Sequence, residues 1–208
     1  KRIGWLFGVL CVVQQVDAQK MRDVFATMPD SIIHVMTKNN RLDCIDFIEN
    51  NIEAKVRNRF DGYTVLKELT HDFLRLQVTK TTEIQMKLLP SADTTYCVCV
   101  VRTQKLDSVS DSRVEMYAAD WSPIELSSVL KEPSYDAFWH RPISMDEAEF
   151  KDLMTRRDIC FINISLSAQN HEMVYTLFPF YLEEASCCTS LLQPLRFIWE
   201  GGRFVAIP

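Results

Sequence analysis

The feature that most constrains this chain is a change of period. Before residue 50 apolar side chains recur at helical spacing, after residue 54 they alternate singly, and the same order returns past residue 144. Met21, Val24, Phe25 and Met28 stand at i, i+3, i+4 and i+7, the stripe of an amphipathic helix. Pro29 interrupts that stripe and predicts a second short helix through Ile32, Ile33 and Met36. In "TKNNRLDCIDFIENN", Asn39 or Asn40 reads as the cap of a helix and Leu42, Ile45 and Ile48 as its buried line. Asp43, Asp46 and Glu49 are then its solvated face, in preference to a cation site.

The strand signals follow. Asp61-Gly62 is a hairpin turn, since both residues tolerate positive φ, and it joins residues 54–60 to 63–69. Leu74, Leu76 and Val78 alternate with Arg75 and Gln77, and Ile84, Met86 and Leu88 alternate with Glu83, Gln85 and Lys87, which predicts strands with one wet face. Residues 95–103, containing "YCVCVV", are apolar on both faces and predict a strand covered on both sides; residues 112–118 alternate again. One short helix is expected within 124–130, and Ser144-x-x-Glu147 reads as a capping box opening a helix with Phe150, Leu153 and Met154 inside and Arg156 and Arg157 at its end. Strands over 159–166 and 172–178, a helix through 183–192 and a hairpin about Gly201-Gly202 complete the chain. The expected class is α+β, with antiparallel meander sheets backed by short helices, in one or two helix-plus-sheet modules.

Lys1 and Arg2, the apolar run 3–13 and Val16-Asp17-Ala18 have the layout of a secretory signal peptide over residues 1–18. The expected organisation is therefore a cleaved leader, a segment 19–125 of helices and sheet, and a segment 126–208 of helix and hairpins, packed as one unit. The apolar run is shorter than the roughly 18 residues of a membrane span, and no other stretch approaches one. The location implied is secreted or periplasmic. A formal net charge of −5 with no basic cluster makes nucleic acid a poor partner.

Gly62, Gly201 and Gly202 all sit in turns, so no glycine-rich phosphate cradle is available. "HEMVY" lacks the second histidine of a zinc-protease helix, and no serine lies in a G-x-S-x-G elbow. Neither a metal nor a cofactor is implied, and no catalytic constellation is visible. A small secreted hydrolase, the alternative class, would need His34, His71, His140 or His171 beside a carboxylate or nucleophile. The most chemically mixed stretch is "SYDAFWHRP". Tyr135, Trp139, His140 and Arg141, with Trp121, are the candidate binding residues for a protein or glycan of the cell envelope; the competing reading is a connector pinned to the core by its aromatics. Secretion would permit disulfides among Cys44, Cys97, Cys99, Cys160, Cys187 and Cys188. In a strand, however, Cys97 and Cys99 lie roughly 6.5–7 Å apart at Cα, at the limit for bonding each other, so disulfides to other elements, a metal site and buried thiols remain as readings, with buried thiols favoured.

The run "MRDVFATMPDSIIHVMTKNNRLDCIDFIENNIEAKV", with "EIQMKLLP", "MYAADWSPI" and "PLRFIWEGGRFV", resembles a family of secreted Bacteroidales proteins catalogued as domain of unknown function 3256. The resemblance spans nearly the whole chain after residue 18 and departs from the family pattern at "LEEASCCTSLLQ". It implies an envelope or secreted location in a Gram-negative cell, and it carries no functional residue onto this chain.

Overall fold

The computed structural model describes residues 21–91, 96–106, 109–155, 159–179 and 191–207. Two helices come first, α1 (Met21–Thr27) and α2 (Lys38–Glu49). Seven strands follow as an antiparallel meander: β1 (Lys55–Arg57), β2 (Tyr63–Leu69), β3 (Phe73–Gln77), β4 (Thr82–Leu89), β5 (Cys97–Leu106), β6 (Val109–Ala118) and β7 (Pro123–Ile124). A short α3 (Leu126–Val129), a single 3-10 turn (Tyr135–Phe138) and α4 (Glu147–Thr155) lead to a second antiparallel sheet. That sheet contains β8 (Cys160–Leu166), β9 (Glu172–Pro179), β10 (Leu195–Glu200) and β11 (Arg203–Ile207), in the order β11-β10-β9-β8. The class is α+β, as the alternating patterns predict.

The seven-stranded sheet is the middle layer. Met21, Val24, Phe25 and Met28 pack with Cys44 and Ile45 onto Leu66, Leu74, Leu76, Ile84, Met86, Val98 and Val100. On the opposite face Cys97, Cys99, Val101, Val114 and Met116 meet Ile164, Leu166, Met173, Tyr175, Phe197, Trp199 and Phe204 of the second sheet. β5 contributes alternate residues to both cores, which is why its sequence is apolar on both faces. The closing hairpin turns at Gly201 and Gly202, with φ of 58° and 82°, the left-handed pair that a two-residue turn requires.

Several local expectations are corrected. Residues 29–36 form turns and no helix. Carbonyls that a helix would bond internally go instead to guanidiniums: Met28 O accepts from Arg41 Nη2 at 2.5 Å, Ile32 O from Arg102 Nη2 at 2.6 Å and His34 O from Arg59 Nη1 at 3.1 Å. Asp30 bridges Arg41 and Arg59 at 2.8 and 2.9 Å, and the bond from Arg41 holds its carboxyl below the usual carboxylate range. Helix α2 starts earlier than the asparagines suggest. Thr37 is its N-cap and Asn40 closes the capping box from the third position. This phase buries Arg41 with Cys44 and Ile45 and leaves Leu42 exposed. In α4 the cap is Asp146, whose Oδ2 accepts from Ala148 N at 2.8 Å, and not Ser144. Phe150, Leu153 and Met154 are only half-buried. The wet face expected on β4 is dry, because β8 passes over β4, β5 and β6 and buries Gln85 and Lys87.

The expected leader, Thr95, Arg156, Arg157, Cys187, Cys188 and residues 183–190 of the last expected helix lie outside the described residues. Among the described residues no helix is long and apolar enough to cross a membrane.

Candidate functional site

The residues singled out in the sequence are divided by the fold. Trp121 sits in the turn after β6 with a left-handed φ of 67°. Its ring tilts against Tyr117 at 5.7 Å and packs on the helix-side core. The other four share the loop that follows α3, whose Phe138 belongs to the core between the sheets. Trp139 turns inward and meets Phe150 of α4 edge-on at 6.3 Å; its backbone bridges to Leu192. Its indole N–H finds no acceptor among the described residues. Tyr135 and His140 are exposed, and His140 N donates to Leu191 O at 2.7 Å. Arg141 spends its guanidinium on Met145 O at 2.7 Å. The loop therefore presents Tyr135, His140 and Arg141 to solvent, while the tryptophans serve packing.

The histidines are equally dispersed. Of the described ion pairs, one joins a histidine to a carboxylate: His171 Nε2 stands 3.7 Å from Asp72 Oδ2. That is beyond hydrogen-bond reach, and the same oxygen takes Lys87 Nζ at 2.9 Å. Lys87 is 1% exposed and also donates to Ala168 O at 3.3 Å. Since Asp72 stands in the turn between β2 and β3 and Lys87 on β4, and Ala168 and His171 in the turn between β8 and β9, this cluster is a latch between the layers. Among the described residues no group of three His, Cys, Asp or Glu side chains could hold a metal. Cys44, Cys97 and Cys99 are buried thiols; burial pushes Cys97 up to about 11 and Cys44 up to about 12, and raises Cys99 as well.

A groove of about 660 Å³ opens elsewhere, between the β1–β2 hairpin and the β3–β4 turn. Its size is that of a small-ligand cleft. The architecture comes from one buried amide. Asn58 Oδ1 accepts from Phe60 N at 3.0 Å and Gly62 N at 3.1 Å, while its Nδ2 donates to Thr64 Oγ1 at 3.3 Å and Val78 O at 3.4 Å. Asp61 takes φ of 58° inside this clasp. Across the groove Thr79 Oγ1 accepts from Thr81 N and Thr82 N at 3.2 and 3.1 Å, and Gln77 Nε2 donates to Thr79 O at 2.6 Å. Both walls are thus set before any ligand arrives. Onto them the turn after β1 places Phe60, 71% exposed, and the start of β2 places Tyr63, 58% exposed. Lys55 Nζ lies 4.6 Å from the Tyr63 ring centroid, and Lys80 stands on the opposite wall. No candidate stretch of the sequence covers this site. Its one signal was an aromatic on either side of the Asp61-Gly62 turn, which reads equally well as ordinary strand composition.

Comparison with known proteins agrees with the fold. A family profile described as "Protein of unknown function (DUF3256)" matches residues 13–204. A solved structure, of a domain of an uncharacterized protein from Porphyromonas gingivalis W83, superposes with a TM-score of 0.74 at 23% identity, covering 90% of this chain and 98% of that one. At that identity the likeness concerns the fold alone. No curated protein matches the chain.

Proposed function

The chain belongs to the DUF3256 family, and on that footing we propose that it is a non-catalytic secreted or periplasmic binding protein. Its partner is a protein or glycan of the cell envelope, held in the groove between the β1–β2 hairpin and the β3–β4 turn. The observation that carries this reading is the pair of exposed rings, Phe60 and Tyr63, on pre-set walls beside Lys55 and Lys80. Large aromatics in water on a rigid edge of a folded domain are a cost that a ligand offsets. The basic and apolar leader pattern over residues 1–18 supports the location. A binding role asks only for shape, apolar faces and a few fixed polar groups, and the groove supplies these.

The test compares retention of the purified protein on immobilised envelope polysaccharide and on immobilised envelope protein. The wild type, a Phe60→Ser/Tyr63→Ser variant and a Tyr135→Ser/His140→Ala variant are run side by side. Loss of retention in the groove variant alone supports the groove. Loss only in the Tyr135/His140 variant moves the site to the loop after α3, and equal retention by all three rejects both.

A further inference from the structure

We infer that the groove takes an anionic oligosaccharide, a sugar chain bearing carboxylate or sulfate groups. This rests on the groove being the ligand site. The first argument is charge. The chain carries a formal −5, and cations near the groove are mostly matched: Arg57 to Asp61 at 2.9 Å, Arg59 to Asp30 at 2.9 Å and Lys105 to Glu83 at 2.7 Å. Lys55 and Lys80 differ. Both line the groove, and neither has a carboxylate partner among the described residues. The acid that does line it, Asp61, is already held by Arg57. An acidic protein that leaves two lysines uncompensated on facing walls of one groove is complementary there to negative charge.

The second argument separates sugar from peptide. A peptide adding to this end of the sheet would use the outer edge of β1. That strand has three residues, and two of its outward backbone groups are already engaged: Lys55 N donates to Glu53 O at 2.8 Å and Arg57 O accepts from Asn40 Nδ2 at 3.3 Å. A strand cannot pair there without displacing them. A sugar needs no backbone ladder. Its C–H faces lie on exposed rings such as Phe60 and Tyr63, and its acid groups reach the lysines at the walls.

The experiment is calorimetric titration of the whole chain with tetragalacturonate, a heparin tetrasaccharide, the carboxyl-reduced neutral form of the first, and tetraglutamate. At least one acidic sugar is expected to bind saturably and the reduced sugar to bind markedly less. Lys55→Gln and Lys80→Gln should each weaken binding about two- to fivefold, and Tyr63→Ser by roughly tenfold. Binding should fall as salt rises from about 0.1 to about 1 M. The Tyr135→Ser/His140→Ala control should bind normally, and urea midpoints should show every variant folded. Equal binding of the neutral sugar, unmoved by the lysine variants, overturns the charge inference and leaves the groove standing. Tighter binding of tetraglutamate with the same lysine dependence replaces the glycan by an acidic peptide. No saturable binding of either acidic sugar overturns the inference, while continued loss of envelope retention by Phe60→Ser/Tyr63→Ser would still uphold the groove.

Discussion

Two parts of one sheet face have their polarity reversed. Where β8 lies over the middle strands, the first sheet offers Gln85 and Lys87, and both are buried. On β2, at the groove, the same face offers Tyr63, and it stands in water. The covered part carries polar side chains among its apolar ones because of what covers it. β8 is the edge strand of the second sheet, so alternate backbone N–H groups have no neighbouring strand to bond. Leu166 N finds Gln85 Oε1 at 2.9 Å, Ile164 N finds Ser112 Oγ at 3.1 Å and Ile162 N finds Asp111 Oδ1 at 3.2 Å. An edge laid on a purely apolar face would leave those donors orphaned. The bare part meets no edge and needs no such acceptors, so its aromatics are free to serve something outside the fold.

The covered part breaks most sharply at the latch. Asp72→Asn leaves the Lys87 ammonium buried without its counter-charge, a loss of about 3 kcal/mol, at the low end for a buried pair because Asp72 is partly exposed. Lys87→Met removes the buried charge itself and should cost far less. Urea denaturation of both variants decides this. If the two changes are equivalent, the latch is not electrostatic.

Next comes the edge. Gln85→Leu keeps the side chain's bulk but takes the acceptor from Leu166 N, for an expected loss of about 1–3 kcal/mol. Hydrogen exchange at Leu166 should accelerate more than at Ile164, whose partner Ser112 is untouched. Uniform protection along β8 in the variant would show that the edge does not depend on that acceptor.

This inversion also explains what was legible in the sequence. Elements fixed by neighbouring residues read correctly: the α1 stripe, the doubly apolar β5 and the Gly201-Gly202 turn. Elements fixed from a distance did not. Gln85 and Lys87 alternate as a wet face should, and only a strand 81 residues later makes that face dry. The helix expected at 29–36 yields to arginines as far along the chain as Arg102. Within the candidate loop, the competing reading of a connector pinned to the core by its aromatics fits Trp139, which turns inward against Phe150, though the sequence held no cue to which aromatic would do so. Nor did it hold one that β8 would leave Tyr63 exposed, so the groove depends on the relation of two sheets and not on a motif.

A smaller effect compares the two cores through their thiols. Cys44, on the buried face of α2, belongs to the helix-side core, and Cys97 of β5 to the core between the sheets. Burial raises both above their unfolded value of about 8.5. The stability each contributes is complete below that pH. It is lost as pH rises toward about 11 for Cys97 and about 12 for Cys44, because the unfolded thiols release protons that the folded ones keep. Between about pH 9 and pH 10 the expected loss is about 1 kcal/mol per thiol. Cys97→Ala and Cys44→Ala should each flatten the pH dependence by one thiol's share, and an unchanged slope in either variant would mean that thiol is open to water.

The smallest expected effect is the most discriminating for the comparison. Phe60→Ser/Tyr63→Ser changes two large aromatics, a substitution that in either core would cost several kcal/mol. Here both rings are exposed, and the hairpin is held by the Asn58 amide and not by the rings. Folding stability should therefore move by no more than about 0.5 kcal/mol, even though the Lys55–Tyr63 contact is lost. A urea midpoint within that range, together with lost retention on envelope material, would assign the rings to a ligand. A large fall in stability would instead make Phe60 and Tyr63 part of the fold and erase the distinction between the covered and the bare regions of the sheet.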